Sequence, residues 1–130
     1  MRSARIGVLL TATLATVTLG ALPVSSSPAP ADARTIEHGR YLVQQAALCG
    51  DCHGSRLHGD RLDFLAPGLP VARYAPRIAG LPQFATTAQA VRFMETGVTP
   101  GGKQARPPMP QYRFAPADAV AIVAYLKQLR

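Results

Sequence analysis

Cys49-Gly50-Asp51-Cys52-His53 contains the only two cysteines of the chain, three positions apart and followed at once by a histidine. Four chemistries use thiols at this spacing: a structural disulfide, a thioredoxin-like redox pair, half of a zinc site, and covalent attachment of a c-type haem. A thioredoxin-type pair belongs beside a strand–helix–strand pattern, which the sequence lacks. A structural zinc needs four ligands, and His38, His53 and His58 complete no finger spacing with the thiols. A disulfide is compatible with export but leaves His53 without a role. Haem attachment uses both thiols and the histidine. Each thiol adds across one vinyl group, and the same short turn brings the adjacent imidazole under the iron as proximal ligand.

An iron held by His53 on one face needs a strong ligand on the other if it is to carry electrons, because an open site favours small-molecule binding. The candidates are Met94, Met109, His38 and His58. Met109 lies 56 residues beyond His53 in a loop stiffened by Pro107, Pro108 and Pro110, which holds its thioether in place. Met94 falls within an expected helix beside Val91 and Phe93, where a methionine packs a core. His58 is five residues from His53 and reaches the opposite face with difficulty, and His38 reads as a surface residue. Met109 is therefore the expected sixth ligand. A thioether favours ferrous iron and raises the reduction potential relative to a second imidazole.

Upstream, Met1-Arg2-Ser3-Ala4-Arg5 is basic, and an uncharged apolar run from Ile6 to Val24 follows it. Ser25 to Pro30 and then Ala31-Asp32-Ala33 supply the small residues of a cleavage site, so residues 1–33 read as a secretory signal peptide removed after Ala33. The rival is an uncleaved anchor, since the run is close to the ~20 residues a bilayer span requires. Cleavage leaves residues 34–130 as one domain of 97 residues, near the size at which a core of side chains alone is marginal. A cofactor supplies the missing apolar bulk.

The whole chain is formally +7, and losing Arg2, Arg5 and Asp32 leaves the domain at +6. Basic side chains are scattered from Arg34 to Arg130 without a cluster or a groove-reading motif, which argues against nucleic acid. An acidic docking patch on a partner protein is the expected use of the charge, beside the plain alternative of a solvated surface.

Apolar spacing from Thr35 to Leu48 predicts a helix capped by Thr35 and leading directly into Cys49. Residues 54–82 are rich in Gly and Pro and predict a loop with at most one helical turn. Thr86-x-x-Gln89 resembles a capping box and Gly97 a stop, which predicts a helix over residues 87–96. A stiff loop then runs to Phe114. Pro116 and Asp118 open a last helix with Lys127 and Arg130 at its end. No strand pattern of useful length appears.

These residues resemble the class I c-type cytochromes, the monohaem, His/Met-ligated cytochrome c family, over nearly all of the expected mature chain, from Gly39 to Leu129. The resemblance implies an all-α fold, a small cytochrome c fold of three to four helices with long loops wrapped around one covalently bound haem c. It gives Pro76, within Pro76-Arg77-Ile78-Ala79-Gly80, a carbonyl that accepts a hydrogen bond from the proximal imidazole, and Ile78 a place against the haem. Arg106-Pro107-Pro108-Met109-Pro110 is similar to the family's distal methionine loop. Gly39 and Tyr125 match a close crossing of the first and last helices. Gly39 stands ten residues before Cys49, farther than in mitochondrial-type members, and the loop between His53 and Pro76 is longer. Arg61, Arg73 and Arg77 are candidates to meet a haem propionate, and Tyr112 and Phe114 to cover the haem or to pack beneath the last helix.

The function implied is electron transfer in the periplasm or another exported compartment, as a soluble shuttle or the small haem subunit of a redox complex. The partners are redox proteins, no small-molecule substrate is expected, and membrane association follows only if the leader is retained. The alternative is a haem-based sensor or enzyme with a labile sixth ligand, for which no distal acid–base pair is evident.

Overall fold

The computed structural model describes residues 32–130. The leader reading of residues 1–33 thus lies outside the described residues, apart from Asp32 and Ala33. Asp32 is in extended backbone, and its carboxylate accepts the Thr35 amide at 2.7 Å while its carbonyl accepts the Ile36 amide at 3.1 Å. Helix α1 therefore runs Ala33–Tyr41. Asp32, not Thr35, is the cap, because aspartate competes well for this position and Thr35 is already inside the first turn. The expected domain start at residue 34 falls within that turn.

The first helix does not continue regularly to Cys49 as the apolar spacing predicts. Leu42–Ala46 form a wider, π-type turn, in which the Ala47 amide reaches back to the Leu42 carbonyl at 2.8 Å. The Cys49 amide reaches Val43 at 3.0 Å, and Leu48 takes a left-handed φ of 49°. The wider turn keeps Leu42 and Val43 both buried while turning the chain toward the attachment motif. That motif is itself one helical turn, α2, Gly50–His53.

The loop after His53 contains a feature the sequence does not announce: β1, Gly59–Arg61, pairs antiparallel with β2, Tyr74–Pro76, in the register Gly59 to Pro76 and Arg61 to Tyr74. Each strand has three residues, too few for alternation to be visible. Gly59 makes the pairing possible. Its φ is +94°, and a Cβ there would lie 2.5 Å from the Tyr74 hydroxyl and 2.8 Å from the Ala75 carbonyl oxygen.

Helix α3, Thr87–Thr96, has the expected bounds. Thr86 Oγ1 accepts the Gln89 amide at 3.2 Å, and Gln89 Oε1 accepts the Ala85 amide at 3.0 Å, one residue before the position a capping box uses. Gly97, left-handed, ends it. Helix α4, Pro116–Gln128, starts on Pro116 and buries Ala119, Ala121, Ile122, Val123, Tyr125 and Leu126.

Helices α1 and α4 cross at Gly39, where a Cβ would come within 2.5 Å of the Ala121 carbonyl carbon and 2.9 Å of Tyr125 Cβ. Tyr125 stays buried at this crossing because its hydroxyl accepts the Gln44 side-chain amide at 2.6 Å. At the surface, His38 Nε2 and the Asp118 carboxylate meet at 2.7 Å across the same pair. The end of α4 ties down the middle of the chain: Leu126 accepts the Gly80 amide at 2.8 Å, and a main-chain oxygen of Arg130 accepts from His58 Nε2 at 2.8 Å. The result is the all-α expectation, a mainly helical domain with one small ribbon.

Candidate functional site

The single turn of α2 sets the chemistry of one wall. Cys49 and Cys52 are three apart, so one helical turn brings both thiols to the same side, and His53 follows immediately. Both thiols are free and half-buried, and both line one large cavity together with His53. Burial pushes the Cys49 thiol up to about 11, the opposite of the depressed value that a thioredoxin-type nucleophile needs. Among the described residues no three His, Cys, Asp or Glu side chains gather in a group that could hold a metal ion.

His53 is the only buried polar or charged side chain among the described residues. Its Nδ1 lies 2.6 Å from the Pro76 carbonyl oxygen, and a carbonyl can only accept, so Nδ1 carries the proton. Nε2 is left with its lone pair. Burial lowers the imidazole's basicity, and the bond to Pro76 opposes this. The neutral ring, oriented by one bond at Nδ1, is the form that binds a metal through Nε2. Pro76 reaches it because the ribbon pairs Pro76 with Gly59, only six residues beyond His53.

The cavity has a volume of about 820 Å³, inside the ~300–1,000 Å³ range of cofactor pockets, and its walls are mostly apolar. Ile78 lines it, with Leu81, Phe84 and Phe93 around it and Ile122 and Leu126 from α4. Phe84 and Phe93 meet at a centroid distance of 5.4 Å, tilted by 44°. Leu48, Phe64 and Tyr74, each at least half exposed, also line the cavity. An apolar group seated there would cover them.

Met109 lines the cavity between Pro108 and Pro110. Its amide donates to Arg106 at 3.2 Å, and the Pro107 carbonyl accepts the Ala72 amide at 2.7 Å, so the loop is pinned by its own turn and by the strand side of the molecule. Met94 lines the same cavity from α3, a position that helical spacing alone assigned to packing. Neither His38 nor His58 lines it. Tyr112 closes a gap between walls, its hydroxyl donating to the Ala47 carbonyl at 3.0 Å and its ring stacked on Phe114 at 5.0 Å. Burial raises the Tyr112 phenol, which stays protonated and keeps that donor.

The three arginines expected near a propionate point their guanidiniums elsewhere. Arg61 pairs with Asp63 at 3.1 Å, Arg73 donates to the Leu65 and Ala66 carbonyls, and Arg77 donates to Ala79 at 2.9 Å. None lines the cavity, whereas Arg106 does. Loop geometry decides this, and no local sequence signal carries it. The family model described as Cytochrome c matches residues 36–130. No curated protein matches the chain.

Proposed function

Because this chain belongs to the cytochrome c family, whose members bind haem c covalently and transfer electrons, we propose that it carries single electrons through one haem held by Cys49, Cys52, His53 and Met109. The observation that carries the reading is the His53 imidazole, buried and oriented on the Pro76 carbonyl, beside two thiols at the wall of an apolar cavity. The chain's residues fit the group. The cavity has the volume, the thiols suit two thioether bonds, and imidazole and thioether are both established iron ligands. Every buried side-chain nitrogen and oxygen among the described residues already has a partner, so the site makes no competing polar demand.

When bound, haem supplies a reversible one-electron change at iron. The chain's own contributions are separate from that. Cys49 and Cys52 fix the ring in one orientation, and Pro76 holds the proton on Nδ1 of His53. Ile78, Phe84 and Phe93 exclude water from the walls. Met109 presents a soft ligand from a loop with little freedom, which favours the reduced state. Residues 1–33 act as a leader that delivers residues 34–130 to an oxidising compartment, and the resulting +6 surface docks on acidic redox partners.

Extraction of the exported protein with acidic acetone tests the attachment: the colour stays with the polypeptide, and its passage into the organic phase refutes the thioether reading. The ferrous protein takes up carbon monoxide slowly, and Met109→Ala takes it up readily while Met94→Leu does not. If Met94→Leu opens the site and Met109→Ala leaves it closed, the distal ligand is Met94.

A further inference from the structure

Haem carries two carboxylates, and an apolar cavity is a costly place for either unless a cation meets it. Asp51, the only acidic residue on the cavity wall, makes the cost greater on its side. Of the twelve basic side chains from Arg34 onward, one lines the cavity, Arg106. Its side chain is exposed and makes no hydrogen bond or ion pair to any described residue, in contrast to Arg61, Arg73 and Arg77. Its backbone is fixed nonetheless. The preceding Ala105 is buried and donates to Gly97 at 3.0 Å, and the Arg106 carbonyl accepts the Met109 amide at 3.2 Å. The guanidinium and the Met109 thioether therefore leave opposite ends of one short turn.

We propose that Arg106 is the counter-charge of a haem carboxylate, so that a single turn presents both the distal ligand and the cation that tunes the haem. The inference rests on the haem reading above. A planar guanidinium can meet a carboxylate with two parallel hydrogen bonds, and a positive charge held against a haem carboxylate would favour the state with the extra electron. Arg106 is thereby a positioning and tuning residue with no part in binding the iron.

Midpoint potentials of the haem-loaded protein and its Arg106→Gln, Arg106→Lys and Arg92→Gln variants test this, with the resonance Raman propionate-bending band as a direct readout. Arg106→Gln should disfavour reduction by on the order of tenfold, ~59 mV for a one-electron couple, and shift the propionate band. Arg106→Lys should restore most of the potential. Arg92→Gln, on the exposed side of α3, should match the parent. An Arg106→Gln protein with parental potential and an unmoved band overturns the proposal, as does a Lys variant no better than Gln. The near-red absorption band of methionine-ligated ferric haem separates the two failures. Its absence from the parent protein refutes Met109 ligation, whereas its presence with an insensitive propionate band refutes the role of Arg106 alone.

Discussion

Gly39→Ala should destabilise the protein sharply, although alanine is the better helix former. The new methyl carbon would lie 2.5 Å from the Ala121 carbonyl carbon and 2.9 Å from Tyr125 Cβ. Carbon atoms in contact sit ~3.5–4.0 Å apart, so the helices must separate by about 1 Å or more. A gap of that size forfeits roughly a quarter to a half of the dispersion energy across the seam. Overpacking of this kind costs about 1–3 kcal/mol, and here the upper end applies because the main obstruction is backbone that no rotamer change can move. The intrinsic gain of alanine over glycine in a helix, ~1 kcal/mol, offsets only part of it. A net loss of about 2 kcal/mol lowers the melting temperature of a domain this size by roughly 8–16 °C. Ile122 and Leu126 move with α4, so the haem spectrum should change before global unfolding does. Melting followed by circular dichroism and by haem absorbance checks both points. A variant melting within ~2 °C of the parent would refute the reasoning, since the crossing would then have room that its geometry denies.

Three other perturbations have equally definite outcomes. Tyr112→Phe removes the hydrogen bond to Ala47, worth ~1 kcal/mol, and should speed imidazole binding to the ferric protein about fivefold; an unchanged rate means that Tyr112 does not close the distal side. A chain beginning at Asp32 should melt a few degrees above one beginning at Arg34, which lacks the α1 cap and sets a positive amino group at the helix start. The Thr35 amide holds the Asp32 carboxyl below the usual carboxylate range, so this advantage is complete above that range and fades as pH falls through the lowered value; equal melting at neutral pH removes the cap from the account. Gly59→Ala should raise the reduction potential, because a Cβ pressed against Ala75 and Arg77 displaces Pro76 from His53 and makes the imidazole a weaker donor to ferric iron; an unmoved potential would show that the ribbon does not govern that bond.

What the sequence discloses follows the range over which each determinant acts. Cys49, Cys52 and His53 form their wall within one helical turn, so spacing alone gives it. Helices α3 and α4 are legible because Thr86, Gly97 and Pro116 mark their ends through neighbours only a few positions away. The wide turn at Leu42–Ala46 is not, since apolar residues at 42, 43, 46 and 47 suit a regular helix as well. Asp32 escapes notice as a cap because it also sits in an apparent cleavage site. The β1–β2 ribbon joins two three-residue segments across a loop, and the choice of Arg106 over Arg61, Arg73 and Arg77 depends on where that loop turns. Met94 is on the cavity and in the core at once, because the same face of α3 supplies both.

The ribbon also bears on how the two proposed ligands, His53 and Met109, are supported from distant parts of the chain. Pro76, at the end of β2, accepts the bond from His53. Four residues earlier, Ala72 donates to the Pro107 carbonyl in the Met109 loop. Residues 72–76 therefore hold the partner of His53 and that of the Met109 loop on one short length of backbone, while Gly80 fastens the chain beyond it to the end of α4. On the proposed ligation, a displacement of either ligand would drag the other's support with it. Such a frame suits an electron carrier, whose rate depends on how little the two redox states differ in geometry, and suits a sensor poorly, since sensing needs one ligand to leave while the other stays.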